Sequence, residues 1–191
     1  MNSMPRHQCV IYSGQPSDLL TGLASVIQVR LRANYRCVYL NSPPMVAGMR
    51  ASLSAQGVNV DGEIASRRLQ LSSSHSYLVD GAFDPKRMLD LLNEGLASAL
   101  AAGHTGLWGS GDAAWEVGPM QDFARLVEYE RGLEVLLNSE PALTCICQYH
   151  ADTLPEDVVR SGYALHRALF VNETLTRMNP QFVPARNGHA N

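Results

Sequence analysis

The 191 residues are the length of a single domain, enough to bury roughly 70% of the unfolded surface around one core. Hydrophobic residues make up 46% and charged residues 17%, a globular composition that excludes disorder over most of the chain. Fifteen basic against eighteen acidic residues leave a formal charge of -3, too small an excess of either sign to bind a phosphate backbone by bulk electrostatics, so direct contact with nucleic acid is not expected.

Apolar stretches are broken by Arg, Asp or Gly well before membrane-spanning length, and the opening residues Met1–Cys9 lack the apolar core of a signal peptide. A cytoplasmic chain without membrane contact is expected. Cys9, Cys37, Cys145 and Cys147 are then thiols or metal ligands, and their spacing matches no zinc finger.

In chain order, Gln8–Tyr12 reads as a strand, and Asp18 as the cap of a helix whose apolar positions Leu19, Leu20, Leu23, Val26, Ile27 and Leu31 recur at helical spacing to about Tyr35. Arg36–Leu40 is a strand, Pro44–Gln56 a helix, Val58–Val60 a short extended piece, and Leu69–Ser72 a strand running into Ser73-Ser74-His75. Pro85 opens a helix that ends at Gly103, and Thr105–Trp108 is a strand that breaks at Gly109-Ser110-Gly111-Asp112. A long helix from about Pro119 to Asn138, the strand Leu143–Tyr149, a helix from Pro155 to about His166 and the strand Ala168–Val171 complete the series. The reading is one domain over 6–171, between tails 1–5 and 172–191.

Alternation of strands and helices predicts an α/β fold in three layers, with a mainly parallel central sheet covered by helices on both faces. Ligands of such sheets bind beyond the carboxyl ends of the strands. Those ends hold Tyr12 to Ser17, Asn41, Ser72 to His75, Gly109 to Trp115, and Tyr149-His150.

The run Gly14-Gln15-Pro16-Ser17-Asp18-Leu19-Leu20-Thr21 has the length and place of the phosphate loop G-x-x-x-x-G-K-[ST]. Leu19 replaces its second glycine, Leu20 its lysine, and Asp18 sets negative charge where phosphates would lie. Either a plain strand-to-helix turn or a degenerate phosphate loop fits, and both exclude ordinary ATP hydrolysis.

Strand alternation puts His7, Cys9 and Ile11 on one face, and Cys145, Cys147 and Tyr149 on one face of a later strand. Histidine with cysteine can hold a soft metal, but core packing or a thiol beside a small-molecule pocket is the simpler reading, and no metal or cofactor is assigned. Glu130 falls within the apolar stripe Phe123, Leu126, Val127, Leu133, Leu137, while Glu128 points away. An inward carboxylate needs a partner, whether structural or in a pocket. Asp112 suits a helix cap, Trp115 the core, and His166 a helix C-terminus.

The order of these residues resembles the MEDS domain, the methanogen/methylotroph sensory domain, over about Arg6 to Val171. His7-Gln8-Cys9-Val10-Ile11-Tyr12 is similar to its opening H-x-C-x-x-Y, and Leu53 to Gly57 to its L-x-x-x-G. Gly111-Asp112-Ala113-Ala114-Trp115 stands in place of its G-[ED]-M-x-W, with Ala113 where a larger residue is usual. Tyr129-Glu130, Cys147-Gln148-Tyr149 and His166 resemble its helix signature, its C-x-Y strand and its late histidine. The resemblance implies a KaiC/RecA-like core without a working Walker A motif, and a sensory role toward one-carbon or hydrocarbon-derived molecules.

The ligand-binding residues expected on this reading are His7, Cys9, Tyr12, Asp112, Trp115, Glu130, Cys147, Tyr149 and His166, with no catalytic residue. Glu130 is expected to face a partly enclosed pocket near the strand carboxyl ends, shared with Cys147, Tyr149 and the first strand. With no room for an output module, the chain would signal through a partner protein, and self-association is expected. The competing readings are a protein-interaction scaffold that lost all ligand binding and, third, an enzyme with residual nucleotide chemistry.

Overall fold

The computed structural model describes residues 5–172 and 175–184. The chain runs β1 (His7–Tyr12), a 3-10 turn (Pro16–Leu19), α1 (Leu20–Arg32), β2 (Tyr35–Leu40), α2 (Pro43–Ala55), α3 (Val60–Ala65) and β3 (Leu69–Ser72). A two-strand hairpin follows, β4 (Leu78–Val79) and β5 (Ala82–Phe83), then α4 (Pro85–Ala101), β6 (Gly106–Asp112) and the single turn α5 (Ala113–Glu116). The last part is α6 (Phe123–Ser139), β7 (Leu143–His150), α7 (Glu156–Leu165), β8 (Ala168–Asn172) and β9 (Leu175–Met178).

Seven strands form the central sheet in the order β3-β2-β6-β7-β1-β8-β9. All neighbours are parallel except β8 and β9, which are antiparallel. Because side chains alternate along a strand, the core divides into two halves. One face carries Cys37, Tyr39, Trp108, Val10 and Ile146 against Leu23 and Ile27 of α1 and Met49 and Leu53 of α2. The opposite face carries Cys9, Leu107, Cys145, Cys147 and Tyr149 against Met88 and Leu96 of α4, Leu126, Leu133 and Leu137 of α6, and Val158 of α7. The predicted three-layer α/β architecture with a mainly parallel sheet is therefore the observed one.

Several local readings are corrected. Asp18 caps nothing: Pro16, with its fixed φ, starts a 3-10 turn that contains Asp18, and α1 begins at Leu20 without a side-chain cap. The expected extended piece at 58–60 gives way to α3, whose cap is Asn59 accepting the Gly62 N–H. The strand expected to break at Gly109 continues to Asp112 and is buried throughout. The long helix starts at Phe123, capped by Asp122, rather than at Pro119. Within the expected 172–191 tail, β9 adds an edge strand; residues 1–4, 173–174 and 185–191 lie outside the described residues. Among the described residues no helix is long and apolar enough to cross a membrane.

Candidate functional site

The register of β1 on β7 places His7 opposite Cys145, Cys9 opposite Cys147 and Ile11 opposite Tyr149. His7, Cys147 and Tyr149 thus look out from the same sheet face toward α6, where Glu130 and Glu134, four residues apart, lie one turn from each other on the buried side. The end of α7 closes the group with His166. Gly162 is what lets α7 come this near: a β-carbon there would lie 2.9 Å from the Tyr149 ring.

In this closed cluster Glu130 is 1% exposed and His166 0%. The Tyr149 hydroxyl donates to Glu130 Oε1 at 2.6 Å. The other carboxylate oxygen, Oε2, meets His7 Nε2 at 3.2 Å, His166 Nε2 at 3.4 Å and Cys147 Sγ at 3.6 Å. His7 Nδ1 donates to Glu134 Oε2 at 2.9 Å, and Glu134 is fixed in turn by the guanidinium of Arg167 at 3.0 Å and the amide of Asn138 at 3.2 Å. His166 Nδ1 donates to the Gly162 carbonyl at 2.8 Å, leaving its Nε2 buried with no hydrogen-bond partner.

Burial opposes ionisation of Glu130, yet the surrounding histidines and the Tyr149 hydroxyl outweigh it and hold the carboxyl at about 2. Burial lowers His7 too, but hydrogen bonds to Glu130 and Glu134 reverse the sign, so its pKa is raised. For His166 the balance goes the other way: burial, then the charge of His7, outweigh the Glu130 charge and the Gly162 hydrogen bond and push it down to about 4. The Cys147 thiol is driven well up, first by burial and then by the Glu130 charge.

Of the nine residues expected to bind ligand, five meet here: His7, Glu130, Cys147, Tyr149 and His166. Cys9 lies alongside, its thiol facing the Gly162 carbonyl at 4.0 Å. The remaining three sit elsewhere, at the carboxyl ends of the strands. Asp112 caps α5 by accepting the Trp115 N–H at 2.9 Å and receives the Tyr12 hydroxyl at 3.4 Å. Burial raises the pKa of Asp112 despite these bonds. Tyr12 stacks on His150, and Trp115 on His75. The expected single pocket is thus two separate groups: His7 starts β1 and cannot reach the far strand ends that Tyr12 and Asp112 occupy.

Two cavities lie on the α4/α6 face, with Val38, Leu40, Met88 and Leu92 as shared walls. The larger, about 150 Å³, is also lined by Ser72, Ser74, Ser76 and Tyr77. The smaller, about 20 Å³, reaches Gly109, Gly111, Glu116, Tyr129, Cys145 and Cys147. Glu130 lines neither; of the nine residues Cys147 contributes to these walls, and His7 to a separate cleft with Glu134, Asn138 and Arg167. The hydroxyl of Tyr77 is buried without a partner. Glu116 is 5% exposed, and its pKa is raised well above the usual carboxylate value by burial, then by the charges of Glu130 and Asp112.

At the corrupted phosphate loop the chain supplies its own anion. Asp152, after β7, accepts the Gly14 N–H at 2.7 Å, and His150 Nε2 meets the Gly14 carbonyl at 3.0 Å.

Sequence reasoning missed Glu134, Glu116 and Tyr77. The four-residue step from Glu130 was a readable signal for Glu134. Nothing local marks Glu116 or Tyr77, whose surroundings come from distant segments.

An uncharacterized Pyrococcus horikoshii protein, PH0321, solved in complex with an unknown peptide, superposes with a TM-score of 0.62 at 14% identity, covering 91% of this chain and 82% of that one. A KaiC-like protein, PH0186, from Pyrococcus horikoshii OT3 superposes with a TM-score of 0.60 at 10% identity, covering 86% and 71%. These likenesses establish a KaiC-like fold. No curated protein matches the sequence. The family model of the MEthanogen/methylotroph, DcmR Sensory domain matches residues 6–167, a span that includes His7, Glu130, Cys147 and His166, and the chain belongs to this MEDS family.

Proposed function

We propose that the chain is a cytoplasmic, non-catalytic sensory domain that takes up a small molecule of the one-carbon or hydrocarbon-derived class and signals through a partner protein. The observation that carries this reading is a cavity of about 150 Å³ whose lining includes Tyr77, a residue with a buried and unpartnered hydroxyl. A cavity of roughly that volume has room for a molecule the size of benzene, and one of about 20 Å³ holds one or two heavy atoms. Such space suits one-carbon compounds and small hydrocarbon derivatives and excludes a nucleotide. On this reading Tyr77, whose pKa burial and then the neighbouring Glu116 raise further, donates to a single polar atom of the ligand, and the aliphatic walls take the rest.

Glu130 and Asp112 favour the scaffold alternative, since both are occupied by internal hydrogen bonds. The two readings part at Tyr77. On the sensory reading, methanol, dichloromethane or benzene raises the melting temperature of the wild type, and Tyr77→Phe loses the effect of the polar compounds while folding as well. If all three compounds leave both proteins unchanged, the scaffold reading stands.

A further inference from the structure

The buried cluster behind Cys147 has the geometry of a metal centre. Its potential ligand atoms are His7 Nε2, His166 Nε2, Glu130 Oε2 and Cys147 Sγ, all within 4.8 Å of one another. A tetrahedral zinc site has edges of roughly 3.3 Å between nitrogen or oxygen ligands and roughly 3.6 Å to a sulfur. The distances here are 3.2 Å from His7 to Glu130, 3.4 Å from His166 to Glu130, 3.6 Å from Cys147 to Glu130, and 3.8 Å from Cys147 to His7.

The hydrogen bonds around the cluster aim lone pairs inward. Gly162 offers a carbonyl, which can only accept, so His166 carries its proton on Nδ1 and turns a lone pair on Nε2 toward Glu130. That lone pair faces another lone pair at 3.4 Å, and the nitrogen has no partner. His7 repeats the arrangement with Glu134 as acceptor, and Tyr149 holds the other oxygen of Glu130, which leaves Oε2 for the centre. Histidines oriented through Nδ1 by a carboxylate and a carbonyl, and a carboxylate held by a hydroxyl, are how metal ligands are fixed in place. A proton on His7 Nε2 would satisfy Glu130, but it leaves His166 Nε2 as an orphan. A cation at the centre satisfies all four groups.

We propose that His7, Glu130, Cys147 and His166 bind one divalent transition ion of borderline softness, zinc by default. One carboxylate and one thiolate neutralise a 2+ charge, as a site closed to water requires. The Cys147 proton is released to solvent as its sulfur binds. Cys147 also lines the smaller cavity, so the ion would lie beside the proposed ligand space. The inference does not depend on small-molecule sensing: uptake of metal without any response to methanol, dichloromethane or benzene would support the centre and reject the sensor.

The test is cobalt(II) titration of chelator-stripped full-length protein, with the metal content of the untreated protein measured by mass spectrometry. The expected result is uptake of one equivalent, a thiolate-to-cobalt charge-transfer band, and the intense visible bands of tetrahedral cobalt. Cys147→Ser should lose the charge-transfer band, and His166→Gln should weaken binding by more than tenfold. Glu134→Gln keeps all four ligands and should bind about 10- to 100-fold more weakly with an unchanged spectrum; it carries the test if the ligand variants fail to fold. Folded wild type that takes up no cobalt or zinc, or binding left unchanged by these substitutions, would overturn the proposal.

Discussion

The carboxyl group of Glu116 lies directly over Gly111, so close that a β-carbon at position 111 would stand 1.8 Å from Glu116 Oε1. Gly111 is a mid-sheet residue paired with Leu40 and Cys147, and its missing side chain is the space the buried acid uses. Gly111→Ala should therefore destabilise the fold by about 1–3 kcal/mol, the usual cost of overpacking. The double variant Gly111→Ala, Glu116→Ala should lose less than the sum of the two single losses, a coupling that urea unfolding of the four proteins measures. Strict additivity would show that the two positions do not share this space.

Glu116 also gives a pH dependence of defined sign. Its folded pKa lies above its unfolded one, so its contribution is complete below the unfolded value near 4.3 and is lost as pH rises toward the folded value. Asp112 and Glu130, with Tyr77, Tyr129, Cys145 and Cys147, are the titratable groups whose charges couple to it. Glu116→Gln, which has no charge to suppress, should gain stability relative to the wild type as pH rises from 4 to 8. Thermal melts at the two pH values read this difference, and a variant equally shifted at both would contradict a raised pKa at Glu116.

All four cysteines are free and buried. Burial pushes Cys37 up to about 12 and raises Cys9, Cys145 and Cys147 further, the last three also by the charge of Glu130. A thiol reagent such as Ellman's should find no rapidly reacting group in the native protein and four after denaturation. Fast labelling of one native thiol would show that the core opens to solvent.

The architecture was legible because hydrophobic periodicity and strand-helix alternation survive across most of the chain. What failed was local chemistry overridden by tertiary context. Gly109-Ser110-Gly111 reads as a turn, yet it is buried strand, with Glu116 in the space that a side chain at position 111 would have taken. The hairpin at β4 and β5 was readable from Asp80-Gly81, both of which adopt positive φ (51° and 79°), as tight two-residue turns require. The ends of the site residues' segments could be placed on faces, but not their meeting: His7 and Glu134 are 127 positions apart. Alternation shows that His7 and Cys147 look toward a helix layer; only the parallel β1–β7 register, with α6 and α7 above it, shows that they look at the same carboxylate.

The phosphate loop supports a negative prediction. Asp152 already occupies the Gly14 N–H, and Leu20 stands where the phosphate-reaching lysine would be, facing Gly48 rather than solvent. Magnesium ATP at millimolar concentration should give no binding heat and no change in melting temperature. A stoichiometric binding isotherm would contradict this reading of the loop as unable to hold phosphates.

Methyl-resolved NMR of the full chain, titrated with dichloromethane and with benzene, tests the sensory account most directly. The account predicts saturable shifts at Val38, Leu40, Met88 and Leu92, the walls common to the two cavities, while Leu23, Ile27 and Met49 on the opposite sheet face stay unmoved. Shifts confined to that opposite face, or no saturable shift with either compound, would contradict it.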